Sequence, residues 1–599
     1  MATVNPDTKL INKSDIRKAA GLKGPFGSLA ASCAMSLMGL NHINRLYPQF
    51  SAYSGREFTT EAMKTFRICA DILPQELEYI PKEGPFIIVS NHPFGGWDGI
   101  VLYNTITSVR PDFKILANFI LSYIPNLRDS FLAVNPFSDN KKLHSSFAGL
   151  KAAMETVRNG GCVGIFPAGE VSTRYRGHRY VADKEWSSTV MKLVRNSGVP
   201  VIPVYFDGSN SRRFHILGRI HPMLRTVNLP NELIRRSGKT VVMRIGRPVP
   251  PGEVIKSKSP DELGRALRNR VYAMEANTPE HQPKAPVASG DQEPLLPPVE
   301  ADLLEREMNA MTPLFEVHKY RCYLADTEQI PAMMQEIGRS REESFRQVGE
   351  GTGRSIDTDA FDKYYKHLIL WDWQERKLAG AYRLGIGRDI YEKYGVKGFY
   401  THTLFDFSDE FIHKLPKSIE LGRSFLASDY KKEALPLMLL IKGLFFTVLR
   451  YKHCKYLFGP ASITSWLPPF YRSLTVYGLS LCTKNSPKDY VTPHTPFKYD
   501  FLRVDPDLLL AGRTDNVDML DKYIQRLSDG KWRIPTLLKK YIKLNAGILA
   551  FNVDKSFNYC VDGMIFLDMA AVPREEIEML TKGSEDREEL IDRFYGTGS

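Results

Sequence analysis

Phe86-Ile87-Ile88-Val89-Ser90-Asn91-His92-Pro93-Phe94-Gly95-Gly96-Trp97-Asp98-Gly99 is the stretch whose reading decides the fold. Phe86–Val89 is apolar without alternation, as a strand covered on both faces requires, and it stops at two polar residues. A helix beginning with Ile100, Val101 and Leu102 follows, and Asp98 stands where its N-cap is expected. His92 is thereby predicted at the C-terminal end of a strand, the edge at which open α/β sheets collect ligands. An imidazole held there by a carboxylate can take a proton from a hydroxyl nucleophile. Gly95 and Gly96 allow the chain to fold back so that the two side chains meet. The plainer alternative is that Asp98 only caps the helix and His92 only satisfies loop amides.

A second stretch repeats the pattern. Cys162–Phe166 reads as another buried strand, followed by the polar turn Pro167-Ala168-Gly169-Glu170-Val171-Ser172. Two such turns are expected to face one cleft. On these residues the region from about 75 to 250 resembles the lysophospholipid-type glycerolipid acyltransferases, whose signature pairs an Asn-His-x4-Asp block with Phe-Pro-Glu-Gly-Thr-Arg-Ser. The resemblance is greatest to the bacterial branch that O-acylates lyso-aminolipids. It implies His92 and Asp98 as catalytic residues. It also implies substrate contacts from Asn91, Gly95, Gly96, Pro167, Gly169, Glu170, Ser172 and Arg174.

The departures from that signature carry information. One extra residue separates His92 from Asp98, and Ala168 and Val171 replace the family's Glu and Arg. Phe131-Leu132-Ala133-Val134-Asn135-Pro136 stands where the family has Phe-Ile-x-Arg. In the family that arginine and its partners hold the acceptor's phosphate, a task suited to a rigid bidentate fork. Their loss argues against a phosphorylated acceptor.

Composition sets the frame around these motifs. At 599 residues the chain is too long for one ordinary domain, and 43% hydrophobic with 25% charged residues is globular. The seven cysteines, Cys33, Cys69, Cys162, Cys322, Cys454, Cys482 and Cys560, form no Cys-x-x-Cys pair, which predicts reduced thiols, no metal site and a cytoplasmic protein. A net charge of +12 favours an anionic partner: a membrane face, an acidic carrier protein or nucleic acid. No nucleic-acid-binding signature accompanies the charge, so nucleic acid ranks last and no nucleic-acid partner is expected. No run reaches the roughly 18 continuous apolar residues of a membrane span. Met1–Lys23 is polar and charged, unlike a signal peptide.

Taken in order, residues 1–75 read as an N-terminal helical region. Within it Gly24–Leu40 is a helix that packs on the domain or lies in a membrane interface with Phe26, Leu29, Met35 and Leu37. Residues 76–276 alternate strands (Phe86–Val89, Cys162–Phe166, Val199–Phe206, Thr240–Ile245) with helices (after Asp98, Ser145–Asn159, Trp186–Asn196), which predicts a mostly parallel sheet covered by helices. A basic loop, Arg174, Arg176, His178 and Arg179, is either a solvated surface or a contact for headgroups or an acidic carrier. Residues 277–300 are dense in proline and predict an extended linker.

Residues 301–599 start afresh. Expected elements are strand Glu316–Leu324, helix Ile330–Phe345, hairpin strands Leu368–Trp371 and Leu378–Leu384, strand Ser418–Leu426, helix Glu433–Leu449, strand Tyr456–Gly459, helix Trp466–Val476 and strand Met564–Leu567. Gly349-Glu350-Gly351-Thr352-Gly353 lacks the Gly-Lys-Ser/Thr ending of a phosphate loop and reads as a turn. In Ser418–Leu426, Glu420 and Arg423 point to opposite faces under strict alternation, but a bulge at Gly422 would bring them together. A bulged central strand leaves amides free to polarise a thioester carbonyl while the Glu takes a proton from an amine. The alternative is an internal ion pair in a strand.

Residues from about 315 to 570 resemble the GNAT-superfamily N-acyltransferases that join a 3-hydroxyacyl chain to an amino acid's α-amine. The matching elements are Arg341-x3-Phe345, Asp357-x-Asp359-x2-Asp362, His367-Leu368, Ala379-Gly380-x2-Arg383 and Glu420-Leu421-Gly422-Arg423-Ser424. This implies Glu420 and Arg423 as catalytic residues and Arg383, Gly422 and Ser424 as substrate contacts. Coenzyme A enzymes of the superfamily carry a glycine-bearing pyrophosphate loop after this strand; Ser428–Ala434 supplies no such glycines. The donor is therefore expected to be an acyl-acyl carrier protein, with no bound cofactor and acyl-coenzyme A as the weaker alternative.

The whole chain is thus expected to be α/β in two domains, a glycerolipid-acyltransferase-like mostly parallel sheet followed by a GNAT-like mixed sheet. The two resemblances interlock, because the product of one reaction is the substrate of the other. They imply a bifunctional aminolipid synthase taking an amino acid, ornithine first and glycine as the alternative, and then the lyso-aminolipid. The expected location is the cytoplasm, peripheral on the anionic inner face of the membrane. Two other readings are a phospholipid-remodelling acyltransferase with a regulatory second domain and a non-catalytic, haemolysin-like membrane-binding protein.

Overall fold

The computed structural model describes residues 8–19, 24–118, 124–134, 143–175, 180–282, 292–582 and 587–596. The chain forms two compact units, Met1–His281 with Leu502–Leu509, and Gln282–Phe501 with Leu510–Ser599.

Seven strands build the first unit: β1 (Cys69–Asp71), β2 (Phe86–Ser90), β3 (Lys114–Asn118), β4 (Phe131–Val134), β5 (Cys162–Ile165), β6 (Val201–Phe206) and β7 (Thr240–Ile245), in the order β1-β7-β6-β2-β5-β3-β4. Neighbours are parallel except β6 with β7. β2, β5 and β6 are buried at every residue, as their unbroken apolar runs require. Because β2 and β5 run parallel with Val89 beside Ile165, both signature turns leave the same edge of the sheet.

Several boundaries differ from the sequence reading. Residues 1–75 are not a separate helical region: β1 joins the central sheet, and Tyr47, Phe50, Phe58 and Phe66 pack with Trp97 in its core. Gly24–Leu40 breaks at Gly39 (φ 74°) into helices Gly24–Leu37 and Leu40–Leu46. Met35 faces inward, while Phe26, Leu29 and Leu37 are exposed. Trp186 precedes its helix, Ser188–Ser197, and its indole donates to Asp183 Oδ2 at 3.0 Å.

Leu502–Leu509, expected in the second domain, belongs to the first unit. Arg503 Nη2 pairs with the buried Glu275 Oε1 at 3.0 Å and its Nη1 donates to the Val181 carbonyl at 2.9 Å. Asn269 and Asp505 exchange two hydrogen bonds, at 2.9 and 3.2 Å. No local pattern announces a clasp between residues so far apart in the chain.

The second unit contains β8 (Phe315–Val317), β9 (Tyr320–Asp326), β10 (Lys366–Asp372), β11 (Lys377–Ile386), β12 (Phe405–Phe407), β13 (Ser418–Leu426), β14 (Tyr456–Ile463), β15 (Val491–Pro493), β16 (Gly547–Asp554) and β17 (Cys560–Asp568). Eight form one sheet in the order β16-β17-β14-β13-β11-β10-β9-β8, and β12 pairs with β15. Within the large sheet only β13 with β14 is parallel. The single strand expected over Glu316–Leu324 is a hairpin that turns at His318 (φ 52°). The glycine-rich turn after Pro331–Arg346 folds around Glu342, whose carboxylate accepts from Thr352 N, Thr352 Oγ1 and Gly353 N, so an internal anion occupies it. Among the described residues no helix is long and apolar enough to cross a membrane.

Candidate active sites

In the first unit the turn after β2 brings His92 Nδ1 to 2.9 Å from Asp98 Oδ2. Asp98 is fully buried in the first turn of helix Trp97–Ile106, but Gly96, not Asp98, is the N-cap. Its Oδ2 instead accepts from the amides of Phe94 (2.9 Å) and Gly95 (3.2 Å), so one carboxylate orders the loop and faces the imidazole. Gly95 adopts φ +79°, and a Cβ there would lie 2.6 Å from Leu229 Cδ2, so both the turn and its packing exclude a side chain. Gly96 packs against Leu233.

The second signature turn closes on the first. Ser172 N donates to the His92 carbonyl at 2.9 Å, and Phe166 stacks on the imidazole with centroids 4.2 Å apart. Asn91 joins β2 to β6: Phe206 N donates to its Oδ1 at 2.7 Å and its Nδ2 donates to the Phe206 carbonyl at 2.8 Å. Pro167 offers its carbonyl to Ser187 N at 3.0 Å, and Gly169 turns at φ +69°. Glu170 pairs with Arg225 Nη2 at 2.6 Å and accepts from Tyr175 OH at 3.1 Å. Arg174 is exposed and makes none of these contacts, and Arg176, His178 and Arg179 lie outside the described residues. Of the stretch Phe131–Pro136, Phe131–Val134 is edge strand β4, and Asn135 and Pro136 are also outside the described residues.

Burial by itself would lower the His92 pKa, but the charge and hydrogen bond of Asp98, with Asp183 behind, outweigh it and raise it. Burial would likewise raise Asp98; His92 and the two loop amides hold it below the usual carboxylate range. With Nδ1 committed to Asp98, Nε2 is the nitrogen left to accept a proton from a hydroxyl.

In the second unit β13 carries a bulge. Ala381 pairs with Phe425 and Arg383 with Gly422, so Arg423 and Ser424 together oppose Tyr382. The left-handed residue is Arg423 (φ 49°) rather than Gly422. Beyond Glu420↔Phe458 the ladder with β14 ends, leaving the bulged segment without a strand partner on that side. Glu420 and Arg423 do not pair with each other; Tyr400 joins them. Tyr400 N lies 3.3 Å from Glu420 Oε2, and Arg423 Nη1 donates to Tyr400 OH at 3.3 Å. Glu420, 1% exposed, also accepts from Thr401 N at 2.6 Å, from Thr401 Oγ1 and from Tyr365 OH. Burial raises its pKa against those donors.

Beside it three arginines interleave with three aspartates. Arg341 Nη2 meets Asp362 Oδ2 at 2.9 Å and its Nε meets Asp357 Oδ2 at 3.0 Å. Arg383 Nη1 meets Asp359 Oδ1 at 2.6 Å, and Arg423 reaches Asp357 and Asp359 at 3.5 and 3.4 Å. Burial would raise Asp362, but Arg341 and Arg383 pull it far below the usual carboxylate range. The cluster holds Arg423, in the bulge, and Arg383, on the facing strand beside it.

Sequence reasoning missed Asp183, Arg225, Tyr365, Tyr400 and Thr401 as members of these sites. Asp183 lies outside any helix or strand, Arg225 in a short helix and Tyr400–Thr401 in a single helical turn; none sits in a pattern that separates it from surface polarity.

A mostly parallel sheet with a His–Asp pair at its C-terminal edge, and a mixed sheet with a bulged, splayed strand beside a buried Glu, define an acyl-transfer enzyme. The acyltransferase family profile matches residues 18–278 and the acetyltransferase (GNAT) domain profile matches residues 340–441. A glycine N(alpha)-acyltransferase from Bacteroides thetaiotaomicron is 30% identical over 282 residues, 45% of this chain and 82% of that protein. A lyso-glycine lipid O-acyltransferase from the same organism is 28% identical over 207 residues, 33% of this chain and 73% of that protein. The crystal structure of a 1-acyl-sn-glycerophosphate acyltransferase from Thermotoga maritima aligns over 42% of this chain and 89% of its own at 18% identity, with a TM-score of 0.25. The chain belongs to the acyltransferases, joining an N-terminal acyltransferase domain to a C-terminal GNAT domain.

Proposed function

We propose that the chain is a bifunctional aminolipid synthase. The second unit joins a 3-hydroxyacyl chain to an amino acid's α-amine, and the first unit then esterifies the 3-hydroxyl. The observation that carries the reading is that each unit holds its own acid–base constellation, one suited to a hydroxyl and one to an amine.

In the N-acyl step the amine attacks the thioester carbonyl, the amide C–N bond forms and the C–S bond breaks. The amine's proton passes to Glu420 through the hydroxyls of Tyr365 and Thr401 that contact it, and then to the departing thiolate. The unpaired side of the bulge offers amides to the developing oxyanion. In the O-acyl step His92 Nε2 takes the hydroxyl proton, the ester forms, and the imidazolium returns the proton to the leaving thiolate while Asp98 stabilises its charge.

The motifs favour ornithine as the amino acid, whereas the two Bacteroides relatives are named for glycine. An acyl carrier protein as donor is supported by the +12 charge and by the absence of glycines in Ser428–Ala434. The exposed Phe26, Leu29 and Leu37 support a peripheral place on an anionic membrane face.

Mass spectrometry of lipids from cells expressing the chain is expected to find an acyloxyacyl amino acid, and from His92→Ala cells only the monoacyl lyso-lipid. Diacyl product from His92→Ala removes the O-acylation assignment, and no acylated amino acid from the unaltered chain removes the whole reading.

A further inference from the structure

Both signature turns of the first unit are held by one pair of helices, Arg212–Ile220 and Pro222–Val227, continued by Leu229–Arg235. Just before the first helix, Asn210 Nδ2 donates to the Phe94 carbonyl at 3.3 Å. The buried His215 places its ring Nδ1 3.3 Å from Thr173 Oγ1. Arg225 reaches Glu170, and Leu229 packs on Gly95. The inward side of the helix pair is thereby occupied by the loops that carry His92 and Ser172.

The outward side has an unusual make-up. With Phe214 and His215 turned in, Arg212, Arg213, Ile216, Arg219 and Ile220 recur at helical spacing on the other side, and all five are exposed. Ile216 is 57% and Ile220 70% exposed, and among the described residues Leu37 is the one aliphatic side chain more exposed than Ile220. Leu224 and Val227 of the second helix are exposed as well. Between Asp207 and Glu232 the sequence holds four arginines and no acidic residue. Arg225 pairs inward with Glu170; among the described residues the other three form no ion pair. Glu232 is buried and accepts from Ser211 N at 2.9 Å and Ser211 Oγ at 2.6 Å, so its charge is spent inside the fold. Isoleucines left in water among unpaired arginines describe a surface that is covered when the protein works.

We propose that the outward side of the helix pair docks on an anionic lipid bilayer. Ile216 and Ile220, with Leu224 and Val227, enter the boundary of the acyl layer, while the arginine stems lie along them and carry the guanidinium groups to the headgroup phosphates. An acidic protein would meet the arginines but leave the four apolar side chains in water, so lipid is the partner that uses the whole surface. Because the inward side holds the turns of His92 and Ser172, docking presents the O-acylation site to the bilayer, and a lyso-lipid reaches His92 without leaving the membrane. The inference rests on the reading of the first unit as a lyso-lipid O-acyltransferase. It adds to the exposed N-terminal helix a second lipid contact, made by the helices that support the site itself.

The test uses the full chain and vesicles of phosphatidylcholine, alone or with about 30% phosphatidylglycerol. Expected is co-sedimentation with the anionic vesicles, with a partition coefficient lowered at least about 10-fold by Ile216→Ser combined with Ile220→Ser. Changing Arg212, Arg213 and Arg219 to Gln should lower it by about 5-fold per residue on anionic vesicles and little on neutral ones. In both variants kcat/KM for a lyso-lipid presented in vesicles falls with the partition, whereas kcat/KM for a short-chain, water-soluble acceptor is unchanged, which also shows that the site is intact. Unchanged partition in both variants overturns the inference. Unchanged partition with a loss of turnover on acyl carrier protein but not on a small acyl thioester also overturns it, and makes the surface a carrier site. Partition that falls as expected while the unaltered chain acylates neither acceptor keeps the docking surface and removes the O-acyltransferase reading.

Discussion

Asp183 Oδ1 accepts from the backbone amide of His92 at 3.2 Å. The same oxygen accepts from Ser172 Oγ, and Oδ2 takes the Trp186 indole at 3.0 Å. One fully buried carboxylate thus ties the histidine of the first signature block to the serine of the second.

Asp183 is a positioning residue, and Asp183→Asn should reveal it. An amide in its place presents a donor to groups that are themselves donors, leaving at least one unsatisfied at about 1–3 kcal/mol. The imidazole shifts with the backbone, and O-acylation kcat is expected to fall by about 100-fold with a smaller change in KM for the lyso-lipid. N-acylation by the same preparation should persist, which distinguishes misplacement from global unfolding.

The pH dependence of O-acylation follows from His92. Its pKa is raised, and only the neutral imidazole accepts a proton, so activity is lost as pH falls through that raised value. Asp98→Asn removes the charge that raises it. The acid limb should move to lower pH while the plateau drops by about 10²–10⁴-fold, read from single-substrate rates across pH.

His367 makes a separate prediction about stability. Burial lowers its pKa to about 4, against the neighbouring Asp362, and its Nε2 lies 3.2 Å from the Asp362 carbonyl. The unfolded chain protonates it near pH 6.5, so the folded state binds fewer protons and loses stability as pH falls from about 6.5 to about 4. The loss amounts to about 3 kcal/mol. Denaturant midpoints between pH 7 and 4 should decline less steeply in His367→Gln than in the unaltered chain.

If the donor is a carrier protein steered by the chain's positive charge, turnover with the acyl carrier should fall steeply with salt. Turnover with a small acyl-thioester analogue should change little. Arg174, Arg176 and Arg179 changed together to Gln should flatten the O-acylation response and spare the N-acyl step. Equal salt dependence for both donors would assign the charge to the membrane, and equal use of coenzyme A thioesters would remove the carrier.

The central strands of both sheets were legible where they are apolar runs ending in polar turns, as β2, β5 and β6 are, whereas β1, β3, β4, β12, β15 and β16 were not expected from the sequence. The His92–Asp98 spacing was legible for the same reason: both groups lie on one short turn, so local geometry decides whether they meet. The bulge at β13 could be expected from a glycine between Glu420 and Arg423, yet the left-handed residue is Arg423, since the register is set by pairing across to β11. Tyr400, Thr401 and Tyr365 surround Glu420 from separate segments, Asp183 reaches His92 across 91 residues, and Arg503 reaches Glu275 across 228. Such contacts leave no periodicity, because one side chain satisfying one distant group imposes no pattern on its neighbours. The sequence determined which groups are candidates for the chemistry; the tertiary structure decided which groups hold them, since buried polar atoms take their partners from whatever segments packing brings within reach.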